Sequence, residues 1–454
     1  MEASRDTLKC TPWALYWTLA MRSLPCEIKS RRPFPKCRWP WDFCLRQPKP
    51  ETRPCSRRRW VCYRLLSRMF SQRTNWKLSP NRFAQALETA RASREAILDL
   101  TISNPTQCGF AYENGTILQA FHNPAALSYT PQPKGLLSAR EEVARYYHDD
   151  YHTAIDPESL VLTTSTSEAY SYVFRLLCSP HDEILVPKPG YPLFDFLAGL
   201  QDVALIPYSL EYAHGWFVDF HSVVRALTPR TRAVLLVHPN NPTGSYVREE
   251  ELRQFNQLCQ ERNLALIVDE VFLDFPFDDS PRKTFVANHD SLTFTLSGLS
   301  KIAALPQMKV AWAATTGPQT LVRPAVDRLE VIADTFLSLN APTQLAFPAL
   351  LAQRHSLRPQ LLERIGNNRL FLQSAMARRN SLQLLDADGG WYAVLKIAGD
   401  RSDEDVAIAL LQKHRVIVHP GHFYDFPSEG YLVLSLISPP AAFEQGVERL
   451  LSSF

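Results

Sequence analysis

Between Glu183 and Leu296 the sequence carries five apolar runs of strand length: Glu183–Val186, Val203–Ile206, Ala233–Val237, Ala265–Val268 and Phe294–Leu296. Helical stretches separate most of them, notably Glu249–Arg262. Strands spaced by helices return to one sheet through right-handed crossovers, so the alternation predicts an α/β fold with a mainly parallel sheet. Upstream, Pro80–Ala92 reads as a helix, Ile97–Thr101 as a strand, and Leu137–Tyr147 and Ser167–Leu177 as helices. From Pro342 the pattern changes. Two helices, Thr343–Ala352 and Leu357–Arg379, precede strands near Trp391–Leu395, Val416–Val418 and Tyr431–Leu436, and a helix at Ala441–Leu451 closes the chain. A large domain over residues 116–340 and a smaller α+β domain over 341–454 are expected, with 69–115 supplying an N-terminal arm and part of the small domain.

The first 68 residues are a different material. They hold 16 of the 49 basic residues against five of the 46 acidic ones, six of the nine cysteines and five of the nine tryptophans. None of these cysteines stands in the C-x-x-C spacing that a zinc module needs, and no metal site is expected. Glu2 and Asp6 offset Arg5 and Lys9, which spoils the positive start of a secretory signal. The arginines suit a transit peptide, but the prolines and tryptophans do not. The run Arg57, Arg58, Arg59 suits a nucleic-acid arm, yet no helix-turn-helix pattern follows it. Lacking period 2 or period 3.6, the segment specifies no packed unit. It reads as an unstructured extension or a mis-assigned start, with Met69 as the natural one; a peptide from the native protein mapping before Met69 would refute that. The remaining cysteines, Cys108, Cys178 and Cys259, are scattered singles, as in a cytoplasmic enzyme with reduced thiols. A mean hydropathy of -0.19, with no unbroken apolar run near 18 residues, argues against a membrane span.

Three segments carry candidate chemistry, each at the end of an expected strand. In Val237-His238-Pro239-Asn240-Asn241-Pro242-Thr243-Gly244, a tight turn places an amide where α/β sheets bind ligands; alone, it is an ordinary turn. In Leu266-Ile267-Val268-Asp269-Glu270 a strand runs into acid, and a carboxylate there could bind metal, cap a helix or meet a buried cation. In Thr295-Leu296-Ser297-Gly298-Leu299-Ser300-Lys301 a lysine follows small residues, and such an amine becomes a nucleophile if its pKa falls. By itself it reads as a solvated loop lysine.

The ordered set, Asn-Pro-Thr-Gly, then Asp, then Ser-Lys, resembles the class I/II aminotransferases, the fold-type I pyridoxal-phosphate enzymes, from about Leu98 to the C-terminus. The resemblance implies that residues 116–340 bind pyridoxal 5'-phosphate. Lys301 would hold it as a Schiff base and shuttle the proton, Asp269 would pair with the pyridine nitrogen, and Asn241 would bond the ring's 3'-oxygen. Ser165-Thr166-Ser167-Glu168-Ala169 sits where the family wraps the phosphate, and amides at a helix N-terminus with hydroxyls make an anion site on physical grounds; Thr166 and Ser167 are the candidates. Tyr191 matches the aromatic that stacks on the ring. Tyr129, in Ser128-Tyr129-Thr130-Pro131, matches the tyrosine that reaches a neighbouring subunit's phosphate, which implies a homodimer.

Four positions depart from the family pattern. Lys309 stands for a phosphate-binding arginine, keeping charge but losing the bidentate fork. Gly298 replaces a phosphate-contacting serine. Phe272 replaces a tyrosine that donates to the 3'-oxygen, which should raise the Schiff base's pKa. Val433, in Gly430-Tyr431-Leu432-Val433-Leu434-Ser435, takes the place of the arginine that clamps the substrate carboxylate. A buried carboxylate facing valine is disfavoured, so either another cation substitutes or the substrate presents something else. The leading expectation is an aminotransferase acting on an amino donor and a keto or aldehyde acceptor. A lyase, decarboxylase or synthase on the same fold is the alternative. A pyridoxal-phosphate-binding transcriptional regulator fits the basic N-terminus but not the intact Lys301, Asp269 and Asn241.

Overall fold

The computed structural model describes residues 69–377, 380–399 and 401–454, so the basic extension and its expectations lie outside the described residues. Residues 69–81 fall in a separate unit, where a 3-10 turn, Gln72–Thr74, is capped by the Ser71 hydroxyl. The second unit spans Arg82–Phe454.

In chain order its strands are β1 (Leu98–Asp99), β2 (Leu160–Thr163), β3 (Glu183–Lys188), β4 (Ala204–Tyr212), β5 (Trp216–Val218), β6 (Thr231–Val237) and β7 (Ala265–Asp269). They continue with β8 (Thr293–Gly298), β9 (Ala311–Thr316), β10 (Leu382–Leu384), β11 (Tyr392–Ile397), β12 (Val416–Ile417), β13 (His419–Pro420) and β14 (Tyr431–Ser435). Eight of them form a large sheet in the order β2-β9-β8-β7-β6-β3-β4-β5. The central five, β8-β7-β6-β3-β4, are parallel, as alternation with helices requires. β7 and β8 are buried throughout, which is why they read as unbroken apolar runs rather than alternating ones.

Helices cover both faces of this sheet. Thr166–Leu177 and Gln319–Phe336 pack Ala169, Tyr170, Val173, Phe174 and Leu329 against Ile184, Leu235, Ile267 and Phe294. Leu137–Tyr151 and Ala341–Ala352 pack Tyr146, Tyr147 and Phe347 against Leu160, Leu162 and Trp312. Several elements had no counterpart in the sequence reading, among them β2, β9 and the helix Gln319–Phe336. β2 and β9 are short, buried on both faces and antiparallel to each other, so they lack period 2. The helix Gln319–Phe336 carries Pro324 within it.

The smaller sheet has the order β10-β11-β14-β13 and is antiparallel. β1 pairs in parallel with β12, Leu98 opposite Val416, so the first described strand is built into the C-terminal part. Ser435 donates its amide to the Leu100 carbonyl at 2.7 Å, and Arg82 forms ion pairs with Glu404 and Asp405. No helix of the described residues is long and apolar enough to cross a membrane.

Candidate active site

Three neighbouring strand ends converge. Val237 lies opposite Asp269, and Asp269 opposite Leu296, so the carboxyl ends of β6, β7 and β8 stand side by side. Ligands of open α/β sheets bind in the crevice beyond such ends.

Beyond β6 the turn from His238 to Gly244 is rigid. Asn240 donates its side-chain amide to the Pro189 carbonyl and to Thr243 Oγ1, and Gly244 adopts φ +72°. A Cβ on Gly244 would lie 2.4 Å from the Gly389 carbonyl oxygen; only glycine lets this turn dock under the loop that leads to Trp391. The amides of Asp388 and Gly389 close that contact by donating to the Gly244 carbonyl. Beside it, the side chain of Asn241 is buried, and its Oδ1 has no hydrogen-bond partner among the described residues.

At the end of β7, Asp269 is almost fully enclosed. Its Oδ1 accepts from the Val271 amide at 3.0 Å and its Oδ2 from the Tyr170 hydroxyl at 2.8 Å. Burial pushes this carboxyl up to about 6, opposed by those two hydrogen bonds and the charge of Lys301. No ion pair among the described residues reaches it. The adjacent Glu270 points elsewhere, accepting from Thr284 Oγ1 at 2.7 Å and the Phe285 amide at 2.5 Å.

Past β8, Gly298 is extended, and a Cβ there would meet Ala311 and the Val310 carbonyl at 2.8 Å. Close packing against β9 therefore explains this glycine: a serine would force the two strands apart. The short helical turn Leu299–Ile302 then presents Lys301, whose Nζ lies 4.7 Å from the Trp391 ring centroid and 5.6 Å from that of Phe272. Burial lowers its pKa to about 8, with Asp269 pulling the other way. The result is an amine with a sizeable neutral fraction near physiological pH, able to act as nucleophile and as proton carrier.

The remaining expected residues fall into two groups. Ser165 caps the helix Thr166–Leu177 through its hydroxyl, leaving the amides of Thr166 and Ser167 in the first turn without an intrahelical partner. Tyr191 packs edge-on to Phe194, and its phenol feels the charge of Asp269. Tyr129 and Lys309, by contrast, are exposed: Tyr129 is 84% accessible and lines a separate cleft with Tyr172, Leu339 and Asn340. Val433 is fully buried, opposite Val394 and His419 in the small sheet. His419 meets the Tyr424 hydroxyl at 3.0 Å, and burial lowers its pKa to about 4, so it brings no positive charge at neutral pH.

Sequence reasoning missed two residues of this site. Trp391 faces Lys301, and its only advance signal was the Gly389-Gly390 pair that turns it inward. Tyr170 lies inside the expected helix Ser167–Leu177, with nothing in the sequence to single it out.

Comparison with known proteins agrees with this geometry. The family model for aminotransferase class I and II matches residues 72–450. The glutamate-pyruvate aminotransferase AlaA of Escherichia coli K12 is 26% identical over 342 residues, covering 73% of this chain and 84% of that protein. An alanine aminotransferase of Mycobacterium tuberculosis H37Rv is 26% identical over 370 residues, 79% of this chain and 86% of its own. Among solved structures, an alanine aminotransferase from Pyrococcus furiosus superposes with a TM-score of 0.75 at 20% identity, covering 85% of this chain and 99% of that one.

Proposed function

The chain belongs to the class I and II aminotransferases, and we propose that Lys301, Asp269 and Asn241 run that family's chemistry on donors that need no arginine in β14. It is a pyridoxal-phosphate-dependent transferase that moves an amino group between an amino donor and a keto acceptor.

The residues present fit this cofactor. Asp269 is a desolvated carboxylate whose charge calls for a cationic partner, which a protonated ring nitrogen supplies. The buried Oδ1 of Asn241 marks an amide oriented by the turn but not satisfied by it, so that the group can serve the ring oxygen. The amides of Thr166 and Ser167, with their hydroxyls, suit the phosphate. When bound, pyridoxal phosphate supplies a carbonyl carbon that amines attack and a ring that withdraws electrons from the amine-bearing carbon. Lys301, partly neutral near pH 8, would hold the cofactor through its Nζ and serve as the proton carrier. Asp269 would pair with the ring nitrogen and favour its protonated form. Tyr191 would cover one ring face, while Lys309 and a partner subunit's counterpart of Tyr129 would complete the phosphate site.

The buried Asp269, with no ion pair among the described residues, together with the lysine of lowered pKa whose charge it feels, carries this reading. Titrating donors against the visible spectrum tests it. Alanine and glutamate, suggested by the relatives' names, come first, followed by amines lacking an α-carboxylate, suggested by Val433. Loss of the cofactor's visible band with one class identifies the donor; a protein that stays colourless with added cofactor would refute the site. A homodimer is supported by the exposed Leu127, Tyr129, Val331 and Phe336, and a cytoplasmic location by the unpaired Cys108, Cys178 and Cys259. We further propose that residues 116–340 act as the cofactor domain, with 341–454 and part of 69–115 forming the smaller one.

A further inference from the structure

The helix Thr166–Leu177 begins with the candidate phosphate amides and, one turn on, presents Tyr170. The Tyr170 hydroxyl donates to Asp269 Oδ2 at 2.8 Å, and both side chains are buried. Its ring is wedged between Phe174 and Phe194 at 5.8 and 5.4 Å, and Phe194 in turn meets Tyr191 at 5.5 Å. This packing fixes where the hydroxyl points. With the Val271 amide on Oδ1, each oxygen of Asp269 has one donor, and the carboxylate plane is set.

We propose that Tyr170 is a positioning residue: it holds Asp269 ionised and oriented so that the proton shared with the cofactor's ring nitrogen stays on the ring. Through the same helix it also ties the ring-nitrogen end of the cofactor to the phosphate end. The inference rests on the assignment of Asp269 above. A phenol suits the task because it donates without carrying charge, and Tyr170 is kept protonated by burial and by the neighbouring carboxylate. The other titratable groups that face Asp269 are Lys301 from beyond β8, Glu270 next in the chain, and Tyr191 from beyond β3.

The test uses holoenzyme loaded with cofactor labelled with 15N in the ring. In the wild type the ring-nitrogen signal should read as protonated at neutral pH. In Tyr170→Phe the carboxylate loses a charge-assisted donor, and the ring's hold on the proton should weaken about ten- to hundredfold. The signal moves toward its unprotonated value, and kcat falls about tenfold or more with a smaller change in KM. Tyr146→Phe is the control, since it removes another buried tyrosine hydroxyl, at 2.8 Å from Asp274, and should lower stability without moving the signal. Replacing Tyr170 with 3-fluorotyrosine, a stronger donor of nearly the same size, should move the signal the opposite way and covers the case in which the Phe variant does not fold. If neither substitution at 170 moves the signal while Asp269→Asn does, the role of Tyr170 is wrong and the site stands. If Asp269→Asn also leaves the signal unchanged, the site assignment itself falls.

Discussion

Two tyrosine–aspartate pairs sit five residues apart around the end of β7, and they are built from the same parts. Tyr170 donates to Asp269 and Tyr146 to Asp274, each at 2.8 Å, each enclosed by core. Burial raises both carboxyls. They differ in the cation. Asp274 receives Arg358 at 2.7 Å, and Arg358 is held in turn by Asp150, which also pairs with Arg354. Asp269 has no ion pair among the described residues and feels only the more distant Lys301. A buried carboxylate with a guanidinium on it is a finished structural joint. The same group without one is poised to receive charge from a ligand.

The contrast predicts that variants separate into those that abolish chemistry and those that only weaken the fold. Lys301→Ala should be the most damaging to activity, with turnover reduced on the order of 10^4-fold or more as in other losses of a nucleophile, while the melting temperature changes little. Steady-state kinetics and calorimetry on one preparation decide it; residual turnover within tenfold of wild type would move the nucleophile elsewhere. Asp269→Asn should cost roughly 10^2- to 10^3-fold in kcat, yet stabilise the cofactor-free protein above pH 6. The sign follows from the raised pKa: the folded state binds the proton more tightly than the unfolded one, so stability is lost as pH rises from about 4 to about 6. At about 1.4 kcal/mol per unit the loss approaches 3 kcal/mol. Urea unfolding between pH 4 and 7 should show that slope without cofactor, and a flatter profile with it or in the Asn variant.

At the other pair the outcome inverts. Arg358→Met strands Asp274 in the core and should lower unfolding free energy by about 3 kcal/mol, leaving the spectrum of bound cofactor and its pH dependence as in the wild type. A shifted spectral midpoint would show the two pairs to be coupled and break the comparison. The smallest effect is expected at Phe272, which packs edge-on to Trp391 and Tyr392. Phe272→Tyr restores a donor near the ring oxygen and should lower the pH midpoint of the visible band by about one unit, with less than a tenfold change in kcat. An unmoved midpoint would mean that the added hydroxyl does not reach the cofactor.

Much of this arrangement was legible from residue order alone. Apolar runs separated by helical spacing gave the parallel centre of the sheet, and the positions of Asn241, Asp269 and Lys301 at three strand ends gave the crevice. What escaped was whatever depends on contact rather than pattern. Tyr170 and Asp269 are 99 residues apart, and Arg358 and Asp274 are 84 apart. No periodicity marks a hydroxyl or a guanidinium that meets a carboxylate across such distances. Gly298 was read through the residue it replaces, whereas its reason is the backbone of β9 pressed against it.

The pairing of β1 with β12 has a consequence for how the molecule is made. Leu98 finds its partner Val416 only after more than 300 further residues have been synthesised. At roughly 5–20 residues per second that is a wait of about 16–60 s. During it the parallel centre of the large sheet can already assemble, whereas β1 has no strand to pair with. The pairing that ties the early part of the chain to its C-terminal part is therefore made last, by a late segment capturing an early one. A ribosome-bound chain halted before Val416 should hold a folded central sheet with β1 still unpaired.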